Sequence, residues 1–110
     1  MKFEIGTTLY LYTARNGKFN VWEGVVTENK RRYYTRPMVM FKKGTTYEFV
    51  PKENEIGSIQ PGGPRLWLTE RDDALAKKLF LEYELEKLEE LKRAMAKKEE
   101  LIKVLREGLE

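Results

Sequence analysis

Residues Thr69 to Leu109, TERDDALAKKLFLEYELEKLEELKRAMAKKEELIKVLREGL, decide the fold. The stretch has no proline and no glycine before Gly108, and it is dense in Leu, Glu, Lys, Arg and Ala, all strong helix formers. The Thr69 hydroxyl is placed to cap a free backbone N–H. Asp72, three residues on, and Asp73 beside it sit near the positive end of the helix dipole. Gly108 marks the stop. At 1.5 Å per residue, about 40 residues span roughly 60 Å, longer than a globule of this size is wide. The sequence therefore predicts a helix over 69–110 that either finds a partner or folds back in its own chain.

The helix carries a heptad stripe. Ala74, Leu81, Leu88, Met95, Ile102 and Leu109 recur every seven residues, Leu91 and Leu105 lie three further on, and Leu85 widens the stripe. Lys77, Glu84 and Lys98 interrupt that second position. Near the start, Leu75, Leu79, Phe80 and Tyr83 add apolar surface. Two regimes follow: Asp72 to about Leu88 docks on the preceding domain, and Leu88 to Leu109 meets another helix. Glu89–Arg93 and Glu99–Lys103 support the exposed side at i,i+4. The pattern predicts a homo-oligomer through Leu81, Leu88, Leu91, Met95, Ile102 and Leu105. A solvated amphipathic helix folding back is the alternative.

Upstream the period changes from helical to strand-like. Residues 7–13 alternate Leu with Tyr or Thr, Asn16-Gly17 is a hairpin dipeptide, and residues 18–27 read as the return strand with Phe19, Val21 and Val25 as core. Gly24 within it suggests a bulge or sharp bend. Residues 28–30 read as a turn and 31–35 as a strand, with Pro37 barring a central-strand role locally. Residues 38–41 and 45–50 are further extended segments, and Ile56 and Ile59 suggest a last short strand. The class is α+β: a small bent antiparallel β-barrel of the SH3-like kind over 1–60, a Pro/Gly hinge over 61–68, and the helix over 69–110.

Composition excludes much chemistry. With no Cys and no His, thiol nucleophiles, disulfides, zinc sites and His-based triads are all removed, and no metal or cofactor is expected. Asp72-Asp73 and Glu89-Glu90 diverge by about 100° on a helix and form no acid/base dyad, so no enzyme is expected. The N-terminal residues lack the apolar run of a signal peptide, and no stretch approaches the roughly 18 apolar residues of a membrane span. A soluble cytoplasmic protein is the expectation. Residues 1–68 hold eleven basic and six acidic side chains, whereas 69–110 hold ten and twelve. A basic head on a mildly acidic helix points to the head as the meeting place for an anion.

Two clusters are candidate binding residues. Lys30-Arg31-Arg32-Tyr33-Tyr34-Thr35-Arg36 interleaves cations with aromatics; a strand there places Arg32, Tyr34 and Arg36 on one face. Guanidinium forks hold phosphate and aromatic rings stack on bases. A solvated strand face with basic residues against edge pairing explains the same residues. Arg15, Lys18, Lys42 and Lys43 lie in turns that extend the positive surface. Arg65-Leu66-Trp67, beside Pro61-Gly62-Gly63-Pro64, is either a clamp for a ligand or a redirected chain with a core Trp.

The order of features resembles that of small bacteriophage-encoded accessory proteins. The resemblance rests on residues 3–11 (FEIGTTLYL), on 24–34 (GVVTENKRRYY), and on Leu66-Trp67-Leu68-Thr69-Glu70 leading into the charged helix. Within that group the chain looks like the Thoeris anti-defence sponges. The resemblance implies an oligomeric, non-enzymatic protein that binds cyclic ADP-ribose-type or cyclic-oligonucleotide signals between subunits, in the host cytoplasm. Arg31, Arg32 and Arg36 then hold phosphate, and Tyr33, Tyr34 or Trp67 stacks on the base. Two alternatives stay open. One is an anti-CRISPR-like inhibitor of a host defence protein, using the acidic helix residues Glu82, Glu86, Glu89 and Glu90. The other is a nucleic-acid-binding accessory protein, which the modest charge of +5 on the head disfavours.

Overall fold

A computed structural model describes residues 3–30, 35–41, 46–60 and 62–109. It is α+β: a five-stranded antiparallel half-barrel sheet followed by one long helix. The strands are β1 (Thr8–Arg15), β2 (Lys18–Lys30), β3 (Thr35–Phe41), β4 (Tyr47–Phe49) and β5 (Arg65–Leu68), and the helix is α1 (Asp73–Glu107). Their order across the sheet is β4-β3-β2-β1-β5. The chain divides into two compact units, Met1–Phe80 and Leu81–Glu110.

In the first unit, Asn16 (φ 53°) and Gly17 (φ 72°) take the left-handed conformations of a tight hairpin turn, and Arg15 pairs with Lys18 across it. From there β1 and β2 stay in one register from Thr8↔Val25 to Arg15↔Lys18. The pleat then sorts the side chains. Leu9, Leu11, Val26, Val39, Phe41 and Trp67 form one buried cluster; Tyr12, Leu66, Leu68, Ala76 and Phe80 form another, where α1 packs. Val26 is fully buried, so it and not Val25 is the core residue of this part of β2. Phe19 and Val21 do pack, half-buried, in the helix-side cluster.

Several sequence readings are corrected here. Gly24 makes no bulge, because its register with both Leu9 and Phe41 is unbroken. A Cβ at Gly24 would collide with Val39 Cγ1 and stand 3.0 Å from Phe41 Cδ1. Its missing side chain lets two core residues of β3 lie over β2. Residues 28–30 are strand, not turn: Glu28 pairs with Pro37, Asn29 with Arg36 and Lys30 with Thr35. Pro37 is tolerated because β4 pairs only with Met38 to Met40, so β3 has no described neighbour on that side at Pro37. The strand expected over 31–35 falls largely on residues 31–34, outside the described residues.

The last strand is β5, not Ile56–Ile59. It pairs with β1 from Tyr10↔Leu68 to Thr13↔Arg65. Ile56 makes an isolated bridge to Trp67; the Gly57 N–H donates to the Trp67 carbonyl at 2.9 Å and the Gln60 N–H to the Arg65 carbonyl at 3.2 Å. Residues 56–60 thus cover the outer edge of β5.

The helix starts later than Thr69. Asp72 is its cap, with Oδ1 accepting the Leu75 N–H at 3.0 Å. Thr69 follows β5 in a bend. Tyr12 ties this helix start to the sheet: its hydroxyl donates to Asp73 Oδ1 at 2.8 Å and accepts the Asp72 N–H at 3.0 Å. The Arg71 guanidinium holds the same carboxylate, Nε to Oδ1 at 3.3 Å. Burial, then the bond to Asp73, pushes the Tyr12 phenol up to about 12; the bonds from Tyr12 and Arg71 hold the Asp73 carboxyl below its usual range. Docking was expected to continue to about Leu88. In fact Ala76 and Phe80 are the buried residues of α1, at the i, i+4 spacing of a single narrow face. Leu79 packs beside them, whereas Leu75 is exposed.

In the second unit α1 continues without interruption from Leu81 to Glu107. Leu81, Leu88, Leu91, Met95, Ile102 and Leu105 are each between 47% and 65% exposed. One ion pair, Lys87–Glu90 at 3.5 Å, lies among the described residues of this unit. No helix in the described residues is long and apolar enough to cross a membrane.

Candidate functional site

The concave side of the half-barrel holds a hollow of about 430 Å³, a size that suits a small-molecule ligand. Strand alternation builds it. Leu11, Thr13 and Arg15 come from every second position of β1, and Asn20 and Trp22 from β2. Cross-strand pairing sets Trp22 opposite Leu11, Asn20 opposite Thr13, and Arg65 opposite Thr13 from the other side. Phe41, Thr46 and Glu48 close the far wall.

Apolar groups and polar groups divide the hollow. Leu11 and Phe41 are buried core residues that meet it from below, with Trp22 packed against the same core. Thr13, 6% exposed as a residue, stands at the wall. Arg15, Asn20, Thr46, Glu48 and Arg65 supply two cations, one carboxylate and neutral hydrogen-bonding groups. Arg65 Nη2 pairs with Glu48 Oε2 at 3.2 Å. The Arg65 guanidinium carbon also sits 5.9 Å from the centre of the Trp67 ring, within cation–π range.

A smaller hollow of about 260 Å³ adjoins, lined by Glu55, Gln60, Gly62, Gly63, Arg65 and Trp67. Arg65 borders both. Gly62 has φ 92°, a left-handed conformation that suits glycine there.

The sequence candidates fare differently. Arg31, Arg32, Tyr33 and Tyr34 lie outside the described residues, as do Lys42 and Lys43. Arg36 belongs to β3, opposite Asn29. Arg65 stands at the hollow. Trp67 is 4% exposed and stacks on Phe41 with centroids 6.2 Å apart, so most of its ring is core and its remainder meets the smaller hollow. Thr13, Asn20, Trp22, Phe41, Thr46 and Glu48 were not singled out from the sequence. The usable signal was the alternation Leu11-x-Thr13-x-Arg15, which continues a core face into polar residues. Among the described residues no three His, Cys, Asp or Glu side chains gather to hold a metal. Comparisons with family models, with curated proteins and with solved structures give no match.

Proposed function

We propose that the curled sheet is a small SH3-like barrel that works as a non-enzymatic binding module for an anionic nucleotide signal, joined to other copies by its helix. The observation that supports this best is the concave hollow, where an apolar and aromatic floor lies beneath Arg15 and Arg65. The aromatic side chains suit the flat face of a base. The two guanidinium groups suit phosphate, and Thr13, Asn20 and Thr46 suit the polar edges of base and ribose. In this reading the chain sequesters the signal, as a phage counter-defence protein does. Calorimetry against a panel of cyclic nucleotides and cyclic ADP-ribose isomers tests it. Saturable heat with one of them, lost in R15A/R65A, supports the reading; no heat across the panel overturns it.

A second reading, inhibition of a host protein, is favoured by a separate observation. Met40, Tyr47 and Phe49 are exposed large apolar side chains on β3 and the edge strand β4, with Met40 opposite Tyr47. Exposed apolar groups beside an edge strand suit protein docking. Under this reading F49D abolishes capture of a host protein and leaves nucleotide binding intact.

A further inference from the structure

The surface of α1 beyond Phe80 goes further than the oligomer in the proposal above, on which this inference rests. We infer that its partner is a second copy of this chain, lying antiparallel to it. The apolar stripe of Leu81, Leu88, Leu91, Met95, Ile102 and Leu105 is solvent-exposed along the second unit. Two charged residues interrupt the seam, Glu84 and Lys98, each seven residues from Leu91.

In a parallel, in-register pair the seam would set Glu84 against Glu84 of the partner subunit and Lys98 against Lys98 of the partner subunit. Two like-charge contacts would fall inside an apolar interface. Reversing one helix about Leu91 brings Glu84 to the partner's Lys98, and Lys98 to the partner's Glu84. Within one chain these two charges cannot neutralise each other. Fourteen residues separate them by about 21 Å along the axis, well beyond the screening length of about 8 Å. The single ion pair among the described residues of the unit, Lys87–Glu90, uses neither.

The flanking charge is segregated in the same sense. Residues 82–90 carry Glu82, Glu84, Glu86, Glu89 and Glu90 against Lys87 alone, while their counterparts across Leu91, residues 92–100, carry Lys92, Arg93, Lys97 and Lys98 against Glu99 and Glu100. Antiparallel pairing lays each block beside its opposite, and parallel pairing lays like on like. The charges flanking the seam favour the same orientation as Glu84 and Lys98 within it.

The chain has no Cys, so an engineered Cys carries a unique spin label. Light scattering of the full chain should give twice 13.0 kDa. Double electron–electron resonance on A94C should give a short separation between labels. On K103C, twelve residues from Leu91, the axial separation should be about 36 Å. Charge reversal supplies the second arm: E84K should weaken dimerisation about tenfold, and E84K/K98E should restore it, the behaviour of an opposite-charge pair. A dimeric mass with short separations at both sites overturns the antiparallel arrangement alone. A mass of one chain at all concentrations overturns the oligomer with it, while nucleotide calorimetry reports on the hollow separately.

Discussion

Arg65 and Glu48 form an ion pair at 3.2 Å although their strands, β5 and β4, stand at opposite ends of the sheet order. An ion pair between the two edge strands requires the sheet to curl until its ends approach. The curl produces the hollow, and Arg65 serves both as latch and as candidate ligand contact. Both side chains are 34% exposed, so the latch itself contributes little to stability, roughly 0–1 kcal/mol.

R65A should therefore lower unfolding free energy by about 1 kcal/mol or less in urea titration. It should weaken nucleotide binding by tenfold or more, the loss expected from a charge-assisted hydrogen bond of ~1.5 kcal/mol. E48Q should have the opposite effect on binding, because it removes a carboxylate that repels phosphate and frees Arg65.

Removing the Tyr12 hydroxyl leaves the Asp72 N–H and the Asp73 carboxylate each short of one partner. Y12F should cost about 1–3 kcal/mol in urea unfolding. The pH dependence has a definite sign. The Tyr12 phenol is raised from about 10 to about 12, so its stabilising effect is complete below pH 10 and lost as pH rises to 12. The Asp73 carboxyl is lowered, so its effect is present above the usual carboxylate range and lost as pH falls through its depressed value. Y12F should abolish the alkaline loss, read by circular dichroism against pH.

Gly24 has no room for a side chain beneath Val39 and Phe41. G24A should destabilise the head by about 1–3 kcal/mol through overpacking, and G24V by more. Thermal unfolding followed by Trp fluorescence measures both.

Leu91 sits mid-stripe and is 65% exposed in the single chain. L91D should dissociate the oligomer in sedimentation while leaving the head's unfolding midpoint unchanged, since the buried helix residues Ala76 and Phe80 belong to the other unit.

What could be read from the sequence was whatever is encoded locally. Asn16-Gly17 needs only its own backbone preferences to make the hairpin, and the absence of Gly and Pro between Pro64 and Gly108 suffices for a long helix. What could not be read depends on distant partners. Thr69 and Asp72 are both residue types that cap helices. Asp72 wins because Leu66, Trp67 and Leu68 pair with β1 and hold the chain extended up to the bend, and because Tyr12, sixty residues away, takes the Asp72 N–H. Residues 28–30 look like a turn until Pro37, Arg36 and Thr35 are seen opposite them. The hollow was hidden for the same reason. It draws one to three ordinary residues from each of several strands, whereas residues 30–36 stood out because their cations and aromatics are contiguous.

The proposed seat of a nucleotide is the concave face beside Arg65. Its most direct test is a nitrogen–proton correlation spectrum of the labelled protein titrated with cyclic ADP-ribose isomers and cyclic dinucleotides. One of these should shift the amides of Thr13 and Asn20, the Trp22 indole N–H and the Arg65 side chain together, in saturable fashion. Shifts confined to residues 30–36, or none at all with any of them, would contradict it.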